Sequence, residues 1–130
     1  MSIKEFADKY IKAQVEAWQK GDFNALQALE DPNVIYHLSL VGQDLVGWEA
    51  HKQDMLLSRE AGSDRRQEWK FITGEGNLFA LSYKSRFIST GKWIIPAGKE
   101  VTGNAMILLR LENDKIVEVW SNGSRTISDP

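Results

Sequence analysis

The sequence predicts an α+β domain in which helices pack against one side of a curved antiparallel sheet. Three observations lead there. Residues 3–18 repeat apolar side chains at helical spacing. Most of the second half alternates apolar and polar residues at strand spacing. Short Gly-, Asn- or Asp-bearing turns join those strands, which suits hairpins and not helical crossovers. At 130 residues the chain matches one hydrophobic core, so a single domain over 1–130 is expected. A composition of 42% hydrophobic and 26% charged residues is that of a folded globular chain, not a disordered one.

The elements follow in order. Ser2 and Glu5 form an S-x-x-E capping box that starts the first helix. Ile3, Phe6, Ala7, Tyr10, Ile11, Gln14, Ala17 and Trp18 then make one broad stripe along it. Gly21 stops that helix, and Asp22 can cap a short second helix, FNALQALE, which Asp31-Pro32-Asn33 breaks. The β-branched and aromatic content of VIYHLSL, Val34 to Leu40, predicts a strand. A turn at Gly42-Gln43-Asp44 follows, and Gly47 opens a third helix running to about Ala61, ended by Gly62-Ser63-Asp64.

Strands fill the remainder. RQEWKFIT sets Gln67, Trp69 and Phe71 on one face. After the GEGN loop, LFALSYKSRFIST sets Phe79, Leu81, Tyr83, Ser85 and Phe87 on one face. TGKWIIPAGKE is a Gly/Pro loop with an apolar middle, and VTGNAMILLRL and KIVEVWSN make the last hairpin around Asn113-Asp114. Residues from about Ser124 onward are expected to form a loose tail. Simple alternation in the last strand puts Ile116, Glu118, Trp120 and Asn122 on a shared face, which is expected to line a semi-polar hollow.

Several function classes drop out. With no cysteine, disulfides and thiolate chemistry are excluded. A formal net charge of -2 and the absence of any long Lys/Arg run argue against a nucleic-acid partner. No stretch reads as a signal peptide or a membrane span, so cytoplasmic residence is the expectation. Five Trp residues are many for a chain this short, and such residues are placed for packing or for ligand stacking.

The long first helix, Gly21-Asp22 before a short helix, the aromatic strand ending near His37, LVGWEAHK, and the closing GNAMILLRLENDKIVEVW together resemble the nuclear-transport-factor-2-like superfamily. Within it they are similar to the SnoaL-like polyketide cyclase group, over residues 3 to about 122. The resemblance implies a cone-shaped sheet wrapped around the first helix, a pocket at its open end, and a homodimer formed through the convex face of the sheet. It also implies chemistry without a cofactor, in a cavity used across the superfamily for isomerisation, cyclisation or dehydration.

Candidate site residues follow from residue chemistry set into that frame. His37 can move a proton near neutral pH and is the candidate catalytic residue. His51, with Asp54 three residues on, is a second candidate. His37, His51 and Asp54 also make a conceivable metal set, although a boundary histidine with an exposed Asp partner is favoured and no metal is expected. Trp18, Trp69, Tyr83 and Trp93 are expected to wall a small hydrophobic or aromatic ligand, with Trp93 acting as a lid or a dimer contact. Asn104, Met106, Trp120 and Asn122 are expected to complete the lining. In the group it resembles, the last strand supplies a catalytic aspartate; here Trp120-Ser121-Asn122 carries no acid. Two functions therefore stay open: proton transfer next to a carbonyl, and non-catalytic carriage of a small ligand.

Overall fold

A computed structural model describes residues 1–39 and 42–130. Leu40, the last residue of the expected strand Val34–Leu40, lies outside the described residues. The chain opens with helix α1, Ile3–Lys20. Its capping box is complete: the Ser2 hydroxyl accepts from the Glu5 N–H at 3.1 Å and the Glu5 carboxylate accepts from the Ser2 N–H at 3.3 Å. Gly21 ends it in the left-handed conformation at φ 69°, which a residue without Cβ adopts at no steric cost. Asp22 then accepts from the Asn24 N–H at 3.0 Å, steering the chain into helix α2, Asn24–Leu29.

Glu30 leaves that helix one residue earlier than expected and opens strand β1, Glu30–Leu38. The segment expected only as a turn contains a short edge strand, β2, Gln43–Val46, paired antiparallel to β1. Helix α3 spans Trp48–Glu60 behind Gly47. Gly62, expected as a terminator, instead begins strand β3, Gly62–Glu75. Strands β4 (Leu78–Ser89), β5 (Glu100–Glu112) and β6 (Lys115–Ser128) complete one curved, unclosed six-stranded sheet. Its order is β2-β1-β6-β5-β4-β3. All neighbours are antiparallel except β1 and β6.

The core lies between α1 and the concave face. Phe6, Ala7, Tyr10, Ala13 and Ala17 bury the helical stripe against Phe79, Leu81 and Leu109. Phe79 meets both Phe6 and Tyr10 edge-on, with ring centroids 6.0 and 6.2 Å apart, the geometry aromatic quadrupoles favour. Among the described residues no helix is long and apolar enough to cross a membrane.

Two expectations about β6 are corrected. It does not end near Ser124 in a loose tail, because β5 starts at Glu100 and holds residues 124–128 in register, from Asn104↔Ser124 to Glu100↔Ser128. The second correction concerns which way its side chains point. Arg110 pairs with Glu118 and Leu111 with Ile116, so one step on β5 matches two on β6 and Val117 is an extra residue. A β-bulge of this kind exchanges the two faces beyond it. Ile116 and Val119 are therefore both fully buried, while Trp120 is 36% exposed. Ser121 takes the inward place, and Glu118, Trp120 and Asn122 project from the convex side.

Deleting Val117 removes the extra residue and exchanges these faces. The deletion variant is expected to lose its cooperative thermal transition, whereas Val117→Ala is expected to cost no more than about 1 kcal/mol. Circular dichroism melts of the two variants check this.

Candidate functional site

The concave face and the helices line a half-open cavity of about 140 Å³. Helix α1 contributes Tyr10, Gln14 and Trp18, each four residues after the last and hence on one helical face. Strand β1 adds Tyr36 and Leu38, helix α3 adds His51, Asp54 and Met55, and the sheet adds Trp69, Tyr83, Ile107, Val119 and Ser121. A space of this size holds about one aromatic ring.

A continuous hydrogen-bond chain runs along one wall. Trp18 Nε1–H donates to Gln14 Oε1 at 3.2 Å, and Gln14 Nε2–H donates to the Tyr10 hydroxyl at 2.7 Å. The Tyr10 and Tyr36 hydroxyls are 2.9 Å apart, and Tyr36 donates to Glu30 Oε2 at 2.8 Å. The chain ends where His51 Nδ1 lies 3.1 and 3.0 Å from the two oxygens of Glu30. Burial, then the nearby Glu30 charge, drives both tyrosine hydroxyls well above their ordinary range, so both remain protonated donors.

His51 is fixed on every side. Its ring stacks on Tyr36 at 3.8 Å and meets Trp48 edge-on at 5.8 Å. With Nδ1 committed to Glu30, Nε2 is the nitrogen free for a ligand. One turn along α3, Asp54 also lines the cavity, and burial raises its carboxyl above the usual carboxylate range despite opposition from His51. Tyr83 accepts from Gln67 Nε2–H at 3.1 Å, and burial raises its hydroxyl as well. Trp69 Nε1–H is buried without an acceptor among the described residues.

The structure gathers four of the predicted lining residues here: Trp18, His51, Trp69 and Tyr83. Six other predicted site residues lie elsewhere. Asn104, Met106, Trp120 and Asn122 stand on the convex face, the last two because of the bulge at Val117. His37 is also outside the cavity, since Val34 and Tyr36 take the buried phase of β1 and leave His37 on the opposite side. There it is 2.7 Å from Glu118 and 2.9 Å from Asp44, stacked on Trp120 at 5.7 Å. Glu118 also accepts from Arg110 at 3.1 Å. Trp93, 44% exposed in the loop between β4 and β5, does not line the cavity; Arg125 lies 4.6 Å over its ring.

Glu30 escaped sequence reasoning because it reads as the last residue of a polar short helix. Its one signal was position: an acid directly before a helix-breaking Asp-Pro and an aromatic strand.

The sequence pattern of the SnoaL-like polyketide cyclase family matches residues 9–123, most of the chain. No curated protein matches it. Three similar solved structures share the fold. AclR from Streptomyces galilaeus, a candidate hydroxylase, is 22% identical with a TM-score of 0.76, covering 95% of this chain and 77% of its own. IdmH from Streptomyces antibioticus, a candidate polyketide cyclase, is 20% identical with a TM-score of 0.76, covering 92% of each chain. An NTF2-like protein of unknown function from Exiguobacterium sp. 255-15 is 18% identical with a TM-score of 0.68, covering 92% of this chain and 98% of its own. Identities this low establish the NTF2-like fold and carry no activity across.

Two outcomes follow from the histidine–carboxylate pairs. Glu30→Gln leaves the buried Tyr36 and His51 donors with one poor acceptor, and is expected to cost about 1–3 kcal/mol by urea unfolding. His37, held first by Glu118 and then by Asp44, titrates above its usual 6.5, and Glu118, held first by His37, titrates below its usual 4.5. The His37 contribution is thus full below pH 6.5 and lost as pH rises through the raised value. The Glu118 contribution is full above pH 4.5 and lost as pH falls through the lowered value. The difference in urea midpoint between the parent and His37→Gln is expected to be largest between those pH values and to shrink toward pH 9.

Proposed function

The chain belongs to the SnoaL-like polyketide cyclase family, and we propose that its interior cavity takes a small apolar molecule bearing a carbonyl and transfers a proton at the adjacent carbon. The observation that carries this reading is the His51–Glu30 pair at the cavity wall. In this scheme His51 Nε2 removes the proton from carbon while Glu30 holds Nδ1–H and stabilises the imidazolium. The electron pair left on carbon moves to the carbonyl oxygen. The Tyr83 hydroxyl, a protonated donor on a cavity-lining residue, suits that developing oxyanion. His51 then returns the proton to carbon, at the same or a conjugated position. No cofactor enters the scheme.

His51 thereby takes the part that sequence reasoning gave to His37, which lies among solvent-facing charges on the other side of the sheet. The size of the cavity favours a ligand body of about one ring. A larger polycycle needs side chains to move aside.

One observation favours the second reading, a carrier that leaves its ligand unchanged. The inward position on the last strand is Ser121, a hydroxyl and not a carboxylate. On the convex side, Met106, Leu108 and Trp120 expose apolar surface on adjacent strands β5 and β6, and we propose that this stripe is where two copies pair. A single species at monomer mass in gel filtration at micromolar concentration counts against the pairing.

The test of chemistry is deuterium exchange at the carbon next to the carbonyl of single-ring ketones such as phenylacetone, followed by NMR in heavy water. His51→Gln is expected to lower the catalysed rate by about 10²–10⁴-fold, and His37→Gln to leave it unchanged. Equal exchange by the parent and His51→Gln removes the catalytic reading and leaves the carrier.

A further inference from the structure

A groove of about 420 Å³ adjoins the cavity, and its most unusual feature is two arginines without carboxylate partners. Arg59 and Arg65 both line it, and among the described residues neither forms an ion pair within 4.0 Å. Arg65 is largely buried, and loss of hydration is the main cause that lowers its affinity for its proton. A desolvated charge without a counter-charge is costly. The sequence nevertheless builds a seat for it. Its guanidinium lies 4.7 Å from the Trp18 ring and 4.3 Å from the Phe87 ring, so two aromatic faces hold it. Gly62 leaves the room: a Cβ there would come within 2.7 Å of Arg65 Nη2 and 2.5 Å of Phe87. Arg59 is seated in the same manner, since a Cβ on Gly21 would lie 2.9 Å from its Nη1.

Each guanidinium spends part of its donor set on a helix end. Arg65 Nη2–H donates to the Ser58 carbonyl at 2.7 Å, and Arg59 Nε–H donates to the Trp18 carbonyl at 3.0 Å. Five N–H donors per guanidinium leave further ones directed elsewhere. The groove and the cavity also share a wall residue. Trp18 lines both, and Gln67, a groove residue, donates to Tyr83, a cavity residue beside Arg65.

Two carboxylates share the groove, and they limit its ligand. Asp64 is already paired with Arg86 at 3.2 Å, while Glu60 is not paired among the described residues. Arg86 also pairs with Glu100 at 3.1 Å, so Arg59 and Arg65 face Glu60 and Asp64 with no excess of positive charge, which opposes a dianion such as a phosphate ester and leaves recognition to guanidinium geometry. A planar guanidinium edge also matches a carboxylate.

We infer that Arg65, supported by Arg59, receives the carboxylate of the ligand, so that the substrate class is small organic acids whose apolar body enters the cavity. This rests on the reading of the interior cavity as the ligand site. Arg65 then sets specificity and position beside Tyr83.

The test compares phenylacetate with its neutral counterpart phenylacetamide, by calorimetry and by the fluorescence of the cavity tryptophans. The parent protein is expected to bind the acid about 10–100-fold more tightly than the amide. That advantage should shrink as sodium chloride is raised. Arg65→Gln should abolish the advantage while leaving amide affinity unchanged, and Arg65→Lys should retain part of it. Retained amide binding in Arg65→Gln also shows that the variant is folded; should that variant fail to fold, Arg65→Lys and the salt dependence decide. Equal affinity of the parent for both probes, or an acid preference untouched by the Arg65 and Arg59→Gln variants, overturns the inference and spares the cavity reading. Failure of both probes to bind the parent overturns the cavity reading and this inference with it.

Discussion

Glu30 has no exposed side-chain surface, and it sits where helix α2 gives way to strand β1. Removing a carboxylate from water costs several kcal/mol unless donors replace the lost hydration. Here the Tyr36 hydroxyl and His51 Nδ1 do so from β1 and α3, and the hydrogen bonds continue through Tyr10 and Gln14 to Trp18 on α1. Helix α1 can therefore be rotated or shifted along the sheet only by leaving buried polar groups unpaired. Apolar packing of Phe6 and Tyr10 on Phe79 supplies the attraction between helix and sheet, yet such packing is tolerant of small slips. The polar chain is not. It fixes the orientation at which the cavity forms, and with it the direction of the His51 ring.

The parts of this architecture that were legible in the sequence are those with local causes. Ser2 and Glu5 bond to each other across one helical turn. Asn113 and Asp114 both take positive φ, at 51° and 60°, as a tight hairpin turn demands. Alternation in LFALSYKSRF held because β4 has no irregularity against β5. What stayed hidden depends on a second strand. The bulge at Val117 is defined only by the mismatch between β5 and β6, and nothing in KIVEVWSN by itself marks the extra residue. Once period-2 counting passed through it, Trp120 and Asn122 were assigned to the wrong face. His37 was misplaced for a related reason, because which phase of β1 is buried depends on the elements packed against it and not on β1 alone. Asp64 at φ 51° has the same character: a residue that reads as a helix stop in fact lies within a strand.

The bulge also separates two functions of one strand. Beyond it, Val119 and Ser121 complete the cavity while Trp120 joins Met106 and Leu108 on the outer side. Without the extra residue, the bulky indole would enter a space of about 140 Å³ and fill it. The hollow thus depends on a small residue, Ser121, being turned inward midway along a strand whose buried beginning, Ile116, belongs to the core. In the neighbouring groove, glycines perform a matching task. Gly21 and Gly62 let two guanidiniums lie close against the backbone.

The protein contains the same chemical pair twice, and the comparison shows what burial adds. His37 with Glu118 and His51 with Glu30 have separations of 2.7 and 3.0 Å. Geometry alone does not distinguish them. The His37 side chain is 32% exposed and its partner 23%, against 7% and 0% for the inner pair. Two unit charges 4 Å apart interact by about 1 kcal/mol in water and about 4 kcal/mol at an effective dielectric near 20. The outer pair therefore works in a screened setting, shares its carboxylate with Arg110, and exchanges its proton with bulk solvent. The inner imidazole is stacked on Tyr36 and held by Glu30 at the wall of the cavity. Of the two histidines, the one that sequence reasoning ranked second is thus the one held with its carboxylate away from solvent, which is why the proposed chemistry is placed on it.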